Sequence, residues 1–78
     1  MSPLPLLRGQ QVMSALNRLG YQLVRSRGSH FRFEHPRLKR YVTVAFHAGK
    51  TISRDALRSI LSQTKMAIEE FMRYVKVF

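Results

Sequence analysis

The chain has 78 residues, which is room for one domain and excludes a second, so we expect residues 1–78 to fold as a single unit. Hydrophobic residues make up 45% of the sequence, too much apolar material for a disordered polar tail. Fourteen Lys and Arg against four Asp and Glu give a net charge of +10, so a polyanion is the first partner to consider; the lack of cysteine excludes disulfides, thiolate nucleophiles and cysteine-based zinc sites.

The opening segment, MSPLPLL, is apolar but short and contains two prolines. It lacks the basic start and the small-residue cleavage site of a signal peptide, and it is too short to cross a membrane. We expect it to form an irregular lead-in to the domain. Because cysteine-free proteins held together by packing are typical of the cytosol, we expect a cytoplasmic protein.

A first helix and a hairpin are predicted next. Apolar residues recur at three- and four-residue spacing from Gln10 to Leu19, which predicts an amphipathic helix that ends at a capping Gly20. A strand over Tyr21 to Arg25 follows. The glycine in the Arg-Gly-Ser at 27–29 tolerates the backbone of a reversal, so a hairpin turn is expected there.

Two further strands and two helices complete the predicted order. Apolar and polar residues alternate over 30–34 and again over 40–47, the period-two pattern of strands with one buried and one exposed face. His35 is predicted to lie past the end of the first of these strands. Ser53 is predicted to cap a second helix, and a third is predicted over Met66 to Val75. The order predicts an α+β fold, with a three-stranded antiparallel sheet covered by helices on one face.

The polar face of this sheet is predicted from the pleat. If the apolar faces of the last two strands coincide, facing residues have numbers of opposite parity. A register with Phe31 opposite Phe46 then places His30 opposite His47. We expect both imidazoles to share one exposed basic surface with Arg32.

Exposed histidines have three interpretations here. A solvated polar residue is the common one, and a catalytic acid or base is the second. A metal site is disfavoured, because His30, His35 and His47 come with no cysteine and only Glu34 nearby.

Basic residues are dense between positions 25 and 40, where a single acid accompanies Arg25, Arg27, Arg32, Arg37, Lys39 and Arg40. One interpretation is a solvated basic surface that binds no partner and only confers solubility. The density also suits phosphate, and six contacts to a duplex would give log affinity a slope of roughly −5 against log salt. Phe31 and Phe33 share a predicted face with the valines, so we expect them in the core rather than stacked on bases.

Several sequence blocks, in order, carry a family resemblance: LGY at 19–21, LVRSRGSH at 23–30, FEHP at 33–36, VTVAFHAGK at 42–50 and LRSIL at 57–61. With these blocks most of the chain resembles the HicA-type mRNA interferases, or YcfA-like proteins, which are the toxins of bacterial toxin–antitoxin pairs. The resemblance implies a double-stranded-RNA-binding-domain-like fold, α-β-β-β-α, here with an added C-terminal helix. It also implies mRNA cleavage and a HicB-type antitoxin partner. We expect no cofactor, because RNA carries its own attacking 2′-hydroxyl, and no membrane partner, because the opening segment cannot span one.

The resemblance also implies a catalytic residue. The family's essential histidine follows Gly-Ser, which corresponds to His30. Many members carry a second histidine directly after it, where this chain has Phe31, and His47 becomes the candidate helper.

Histidine suits RNA cleavage because the substrate's own 2′-hydroxyl can attack phosphorus once a base removes its proton. An imidazole, with an unperturbed pKa of ~6.5, serves as acid or base near neutrality, a role worth ~10²- to 10⁴-fold. We predict His30 and His47 as catalytic residues. The predicted RNA-binding residues are Arg25, Arg27, Ser29, Arg32 and Lys50. A non-catalytic RNA-binding domain and a module for an acidic protein partner are the alternatives.

Overall fold

The computed structural model describes residues 4–75 as a sheet covered by helices. Its elements are β1 (Leu7–Arg8), α1 (Gly9–Arg18), β2 (Gln22–Arg27), β3 (His30–His35), β4 (Arg40–Ala45), β5 (Thr51–Ile52), α2 (Arg54–Thr64) and α3 (Ile68–Met72). The three strands β2, β3 and β4 form an antiparallel sheet in that order, and β1 pairs with β5. The predicted α+β class and three-stranded sheet are confirmed.

Helix α1 buries one apolar stripe and ends as predicted near Gly20. Val12 and Leu16 are fully buried on this stripe. At the C-terminus the Gly20 N–H donates to the Asn17 carbonyl (3.1 Å) and the Tyr21 N–H to the Leu16 carbonyl (2.9 Å). This pair of hydrogen bonds, a Schellman motif, requires a residue with a left-handed backbone, and Gly20 has φ 101°. The chain is thereby turned directly into β2.

The β2–β3 hairpin turns through Gly28 and Ser29, which connect the facing residues Arg27 and His30. Gly28 has φ 58°, while Ser29 is not among the residues with positive φ. Glycine at the first of two turn positions matches the type II′ turn that suits a twisted hairpin. A bulge between Leu23 and Arg25 interrupts the register further along.

The register between β3 and β4 differs from the predicted one by two residues. Phe31 faces Val44 and His30 faces Ala45, so the prediction that His30 lies opposite His47 is wrong. A shift of two residues keeps every side chain on its own face, and the hydrophobic pattern therefore could not distinguish the two registers.

Packing at the end of β4 accompanies this register. The strand ends at Ala45, and the Phe46 ring stacks against Phe31 with centroids 5.0 Å apart. A side chain at Gly9 would overlap the Phe46 ring, so the start of α1 lies directly on it. Phe46 therefore joins the two layers at this corner.

The core lies between the sheet and helices α1 and α2, with Phe71 contributed by α3. Its largest fully buried side chains are Phe33, Phe71, Leu16, Ile52, Leu57, Ile60, Val12, Val42 and Val44. Ser53 caps α2 as predicted, with its Oγ accepting from the Ala56 N–H (3.1 Å). Within residues 4–75, none of the helices has the length and apolar character needed to span a membrane.

Three features depart from the sequence prediction. The lead-in is not wholly irregular, since β1 places Leu7 opposite Ile52 and buries both; two-residue strands are too short to show a period. Helix α3 is shorter than the predicted 66–75. His35, predicted past the strand end, is the last residue of β3. Residues 1–3 of the lead-in lie outside the described part of the chain.

Candidate functional site

The sheet has one face that the helices leave uncovered, and we call it the open face. The registers place these side chains on it: Gln22, Arg25, Arg27, His30, Arg32, Glu34, Tyr41, Thr43 and Ala45. The opposite face holds the buried Phe33, Val42 and Val44. The predicted alternation of core and exposed residues along β3 and β4 is thus confirmed.

His30 lies at the end of the open face next to the hairpin turn. It is exposed and is the first residue of β3, with Arg27 facing it on β2 and Ala45 on β4. Directly facing residues in a sheet hold their Cβ atoms about 4.5 to 5.5 Å apart. The imidazole therefore has the long Arg27 side chain on one side and only the Ala45 methyl group on the other, which leaves it accessible from the β4 side.

Arg25 and Arg27 make this end of the face strongly positive. Both are exposed on β2, where Arg25 faces Arg32 and Arg27 faces His30. Within residues 4–75 the ion pairs are Arg32 with Glu34 and Arg58 with Asp55, so neither arginine of β2 has a carboxylate partner. Unpaired guanidinium groups of this kind favour phosphate.

Arg32 is held in a different way. Its Nε donates to Glu34 Oε2 at 3.2 Å, and its Cζ lies 4.0 Å from the centroid of the Tyr41 ring. Tyr41 faces Glu34 across β3 and β4, two residues further from the hairpin than Arg32. The Arg32 side chain therefore leans away from His30. Tyr41 was not among the predicted site residues. The alternation of the 40–47 strand could have found it, because odd-numbered residues there share the exposed face.

The remaining predicted site residues lie at the border of the open face. Ser29 is half-buried in the turn, and its carbonyl accepts from the Phe46 N–H (3.0 Å). His47 and Lys50 are both exposed beyond the end of β4, where the Lys50 N–H donates to the His47 carbonyl (3.0 Å). Because His47 does not face His30, its role as a helper stays a prediction that the sheet register does not support.

His35 serves the fold rather than the open face. Its Nδ1 accepts from the Leu38 N–H (3.2 Å) and its Nε2 is 3.1 Å from the Leu19 carbonyl, while Tyr21 packs edge-to-face against the ring. An imidazole with both nitrogens engaged has none left for a metal. In the described part of the chain, no group of three or more His, Cys, Asp or Glu could hold a metal ion.

Some basic residues noted in the sequence also lie off the open face. Arg40 belongs to the helix side of β4, where its Nη1 donates to the Thr64 carbonyl at the end of α2 (3.1 Å). Arg18 similarly donates to the Tyr74 carbonyl (2.7 Å). Both side chains tie elements together. Because Arg40 belongs to the dense basic run at 25–40, that run does not form one continuous phosphate-binding surface.

Comparison with known protein families connects this fold to one of them. A family model described as the HicA toxin of bacterial toxin–antitoxin systems matches residues 9–66. No curated protein gives a significant match. The matched span runs from α1 through the whole sheet and α2, and it contains the open face with His30. The chain therefore belongs to the HicA toxin family of bacterial toxin–antitoxin systems, in which it has the role of a toxin with an antitoxin as its partner.

Proposed function

We propose that this toxin is an endoribonuclease that cleaves mRNA in the cytoplasm by metal-independent acid–base chemistry at His30. The observation that carries the proposal is the position of His30, exposed on an uncovered sheet face and directly opposite Arg27. An imidazole beside an unpaired guanidinium supplies a proton-transfer group and an anion-binding group within reach of one phosphate.

The proposed reaction uses groups of the RNA itself. The 2′-hydroxyl attacks the adjacent phosphorus as a base takes its proton, and the bond to the 5′-oxygen breaks as an acid protonates that oxygen. The products are a 2′,3′-cyclic phosphate and a 5′-hydroxyl end. Neutral imidazole serves as the base and imidazolium as the acid, so His30 suits either step.

The neighbouring arginines bind the reacting phosphate. Arg27 faces His30, and Arg25 is two residues further along the same edge strand. Two positive charges here stabilise the extra negative charge that phosphorus carries in the transition state. Ser29 and Lys50 flank this end of the face and are proposed as RNA contacts, with His47 as the second proton-transfer group.

The decisive experiment replaces His30 with alanine. We expect His30→Ala to lower the cleavage rate of single-stranded RNA about 10²- to 10⁴-fold, because a positioned acid or base is lost. RNA affinity should change little, and EDTA should leave the rate of the parent protein unaltered. Growth arrest on expression of the toxin should be lost with His30→Ala and kept with Ser14→Ala, an exposed change on α1.

Three results would contradict the proposal. Undiminished cleavage by His30→Ala removes this residue from the mechanism, and loss of parent activity in EDTA indicates a metal enzyme. RNA binding without cleavage at any protein concentration indicates a non-catalytic RNA-binding domain. The unpaired arginines of β2 would suffice for such binding.

The antitoxin is proposed to be a HicB-type protein that covers the open face. Because Arg25 and Arg27 leave this face positive and unpaired, an acidic surface is the complementary partner. A HicB-type antitoxin purified with the toxin should then abolish RNA binding and cleavage together.

A further inference from the structure

A stack of side chains occupies the open face beyond His30. The Arg32 guanidinium lies over the Tyr41 ring, with Cζ 4.0 Å from the ring centroid. The Glu34 carboxylate accepts from Arg32 Nε at 3.2 Å, which restrains the guanidinium from the side. The Tyr41 ring and the Glu34 carboxylate thus contact the guanidinium from two directions and restrain it.

The charge of this stack differs from that of the neighbouring arginines. Glu34 neutralises Arg32, whereas Arg25 and Arg27 have no carboxylate partner within residues 4–75. A phosphate placed at Arg32 would also meet the Glu34 carboxylate at close range and be repelled by it. The stack therefore suits a neutral, planar group better than a phosphate.

The stack is also accessible. Tyr41 is 57% exposed and is not part of the hydrophobic core. The side chains of Arg32 and Glu34 are 42% and 41% exposed. An aromatic ring and a guanidinium plane open to solvent are the two surfaces on which proteins stack unpaired bases.

From this geometry we propose that Arg32 and Tyr41, oriented by Glu34, form a subsite that binds one unpaired nucleobase of single-stranded RNA by stacking. The proposal rests on the proposed ribonuclease function and adds a base contact to its phosphate contacts. Arg32 is two residues from His30 along β3, a distance of about 7 Å at the usual rise of a strand. The stacked base therefore belongs to a nucleotide next to the phosphate at His30.

The test compares base-bearing with base-free RNA. The protein carries His30→Ala so that the probe stays intact, and affinity is measured by fluorescence anisotropy. The two probes are a short single-stranded RNA and an abasic ribose-phosphate oligomer of the same length. We expect the RNA to bind about tenfold more tightly than the abasic oligomer, because one base stacks on the subsite.

Variants of the stack should remove this difference selectively. Tyr41→Ala should weaken RNA binding about tenfold and abasic binding less than about twofold. Arg32→Lys, which keeps the charge but loses the plane, should act in the same direction. Tyr41→Phe, which keeps the ring, should keep the preference for RNA over the abasic oligomer. Tyr74→Ala, which removes a partly exposed tyrosine outside the sheet, is the matched control and should change neither affinity.

The outcomes separate this subsite from the proposed function. Two results would overturn the subsite and leave the ribonuclease proposal standing. In one, adding Tyr41→Ala to the His30→Ala protein leaves its preference for RNA over the abasic oligomer unchanged. In the other, Tyr41→Ala lowers the affinity for both probes equally while the circular dichroism is unchanged. If the His30→Ala protein without further changes binds neither probe, the proposed function fails and the subsite fails with it.

Discussion

At the scale of single residues, His30 and His35 lie on one strand and face opposite sides of the sheet. The pleat separates them because their positions differ by an odd number. His30 is exposed beside Arg27, whereas both nitrogens of His35 are engaged with backbone groups of two neighbouring turns. The same residue type therefore has a chemical role at one end of β3 and a structural role at the other.

This contrast predicts different stabilities for two matched variants. His35→Ala should lower the free energy of unfolding by about 2 kcal/mol, because two hydrogen bonds of about 1 kcal/mol each are lost. His30→Ala removes an exposed side chain and should change it by less than about 0.5 kcal/mol. Urea denaturation followed by circular dichroism measures both. Equal destabilisation by the two variants would refute the structural role of His35.

At the scale of elements, the start of α1 packs against the residue that follows the end of β4. Gly9 is the first residue of α1, and its missing side chain leaves room for the Phe46 ring. Phe46 in turn stacks on Phe31, and its N–H donates to the Ser29 carbonyl in the hairpin turn. The helix start therefore helps position the turn that precedes His30.

Gly9→Ala tests this contact because two effects oppose each other. Helix propensity alone favours alanine over glycine by up to about 1 kcal/mol. The added methyl group would overlap the Phe46 ring, and overpacking of this kind costs about 1 to 3 kcal/mol. We expect a net loss of stability in urea denaturation, with Ser14→Ala on the exposed side of α1 as the control. A Gly9→Ala protein more stable than the parent would mean that the Phe46 ring moves without cost.

At the scale of the whole molecule, the basic residues that give the net charge of +10 divide into those that bind other parts of the fold and those that are proposed to bind RNA. Arg18 and Arg40 donate to carbonyls near the ends of helices, and Arg32 is paired with Glu34. The cations proposed to meet phosphate are therefore three: Arg25 and Arg27 from the basic run at 25–40, and Lys50 beyond it.

This division predicts a weak dependence of RNA affinity on salt. Three phosphate contacts to a single strand give log affinity a slope of about −2 against log salt, at about −0.7 per contact. Arg25→Ala should bring the slope closer to zero by about 0.7, and Arg58→Ala, which removes a cation already paired with Asp55, should leave it unchanged. Anisotropy titrations across a range of salt concentrations measure the slope. A value near −4 would show that cations outside the open face also bind phosphate.

The sequence by itself determined the order of the three helices and the three strands of the main sheet, the sheet face on which His30 lies and the caps at Gly20 and Ser53. These depend on local rules: the period of apolar residues, the conformational freedom of glycine and the side chain of serine. The family resemblance built on the same residues is confirmed by the family match over residues 9–66.

Only the tertiary structure decided the register of β3 on β4, the separation of His30 from His47 and the stack of Arg32 on Tyr41. Shifts of two residues leave the hydrophobic pattern unchanged, so the choice among registers depends on tertiary contacts, among them that of Phe46 with Gly9 at the start of α1. The partners of each arginine likewise depend on which residues the register brings alongside it. Composition predicts a basic surface, but packing between distant segments determines which of its charges are available to a ligand.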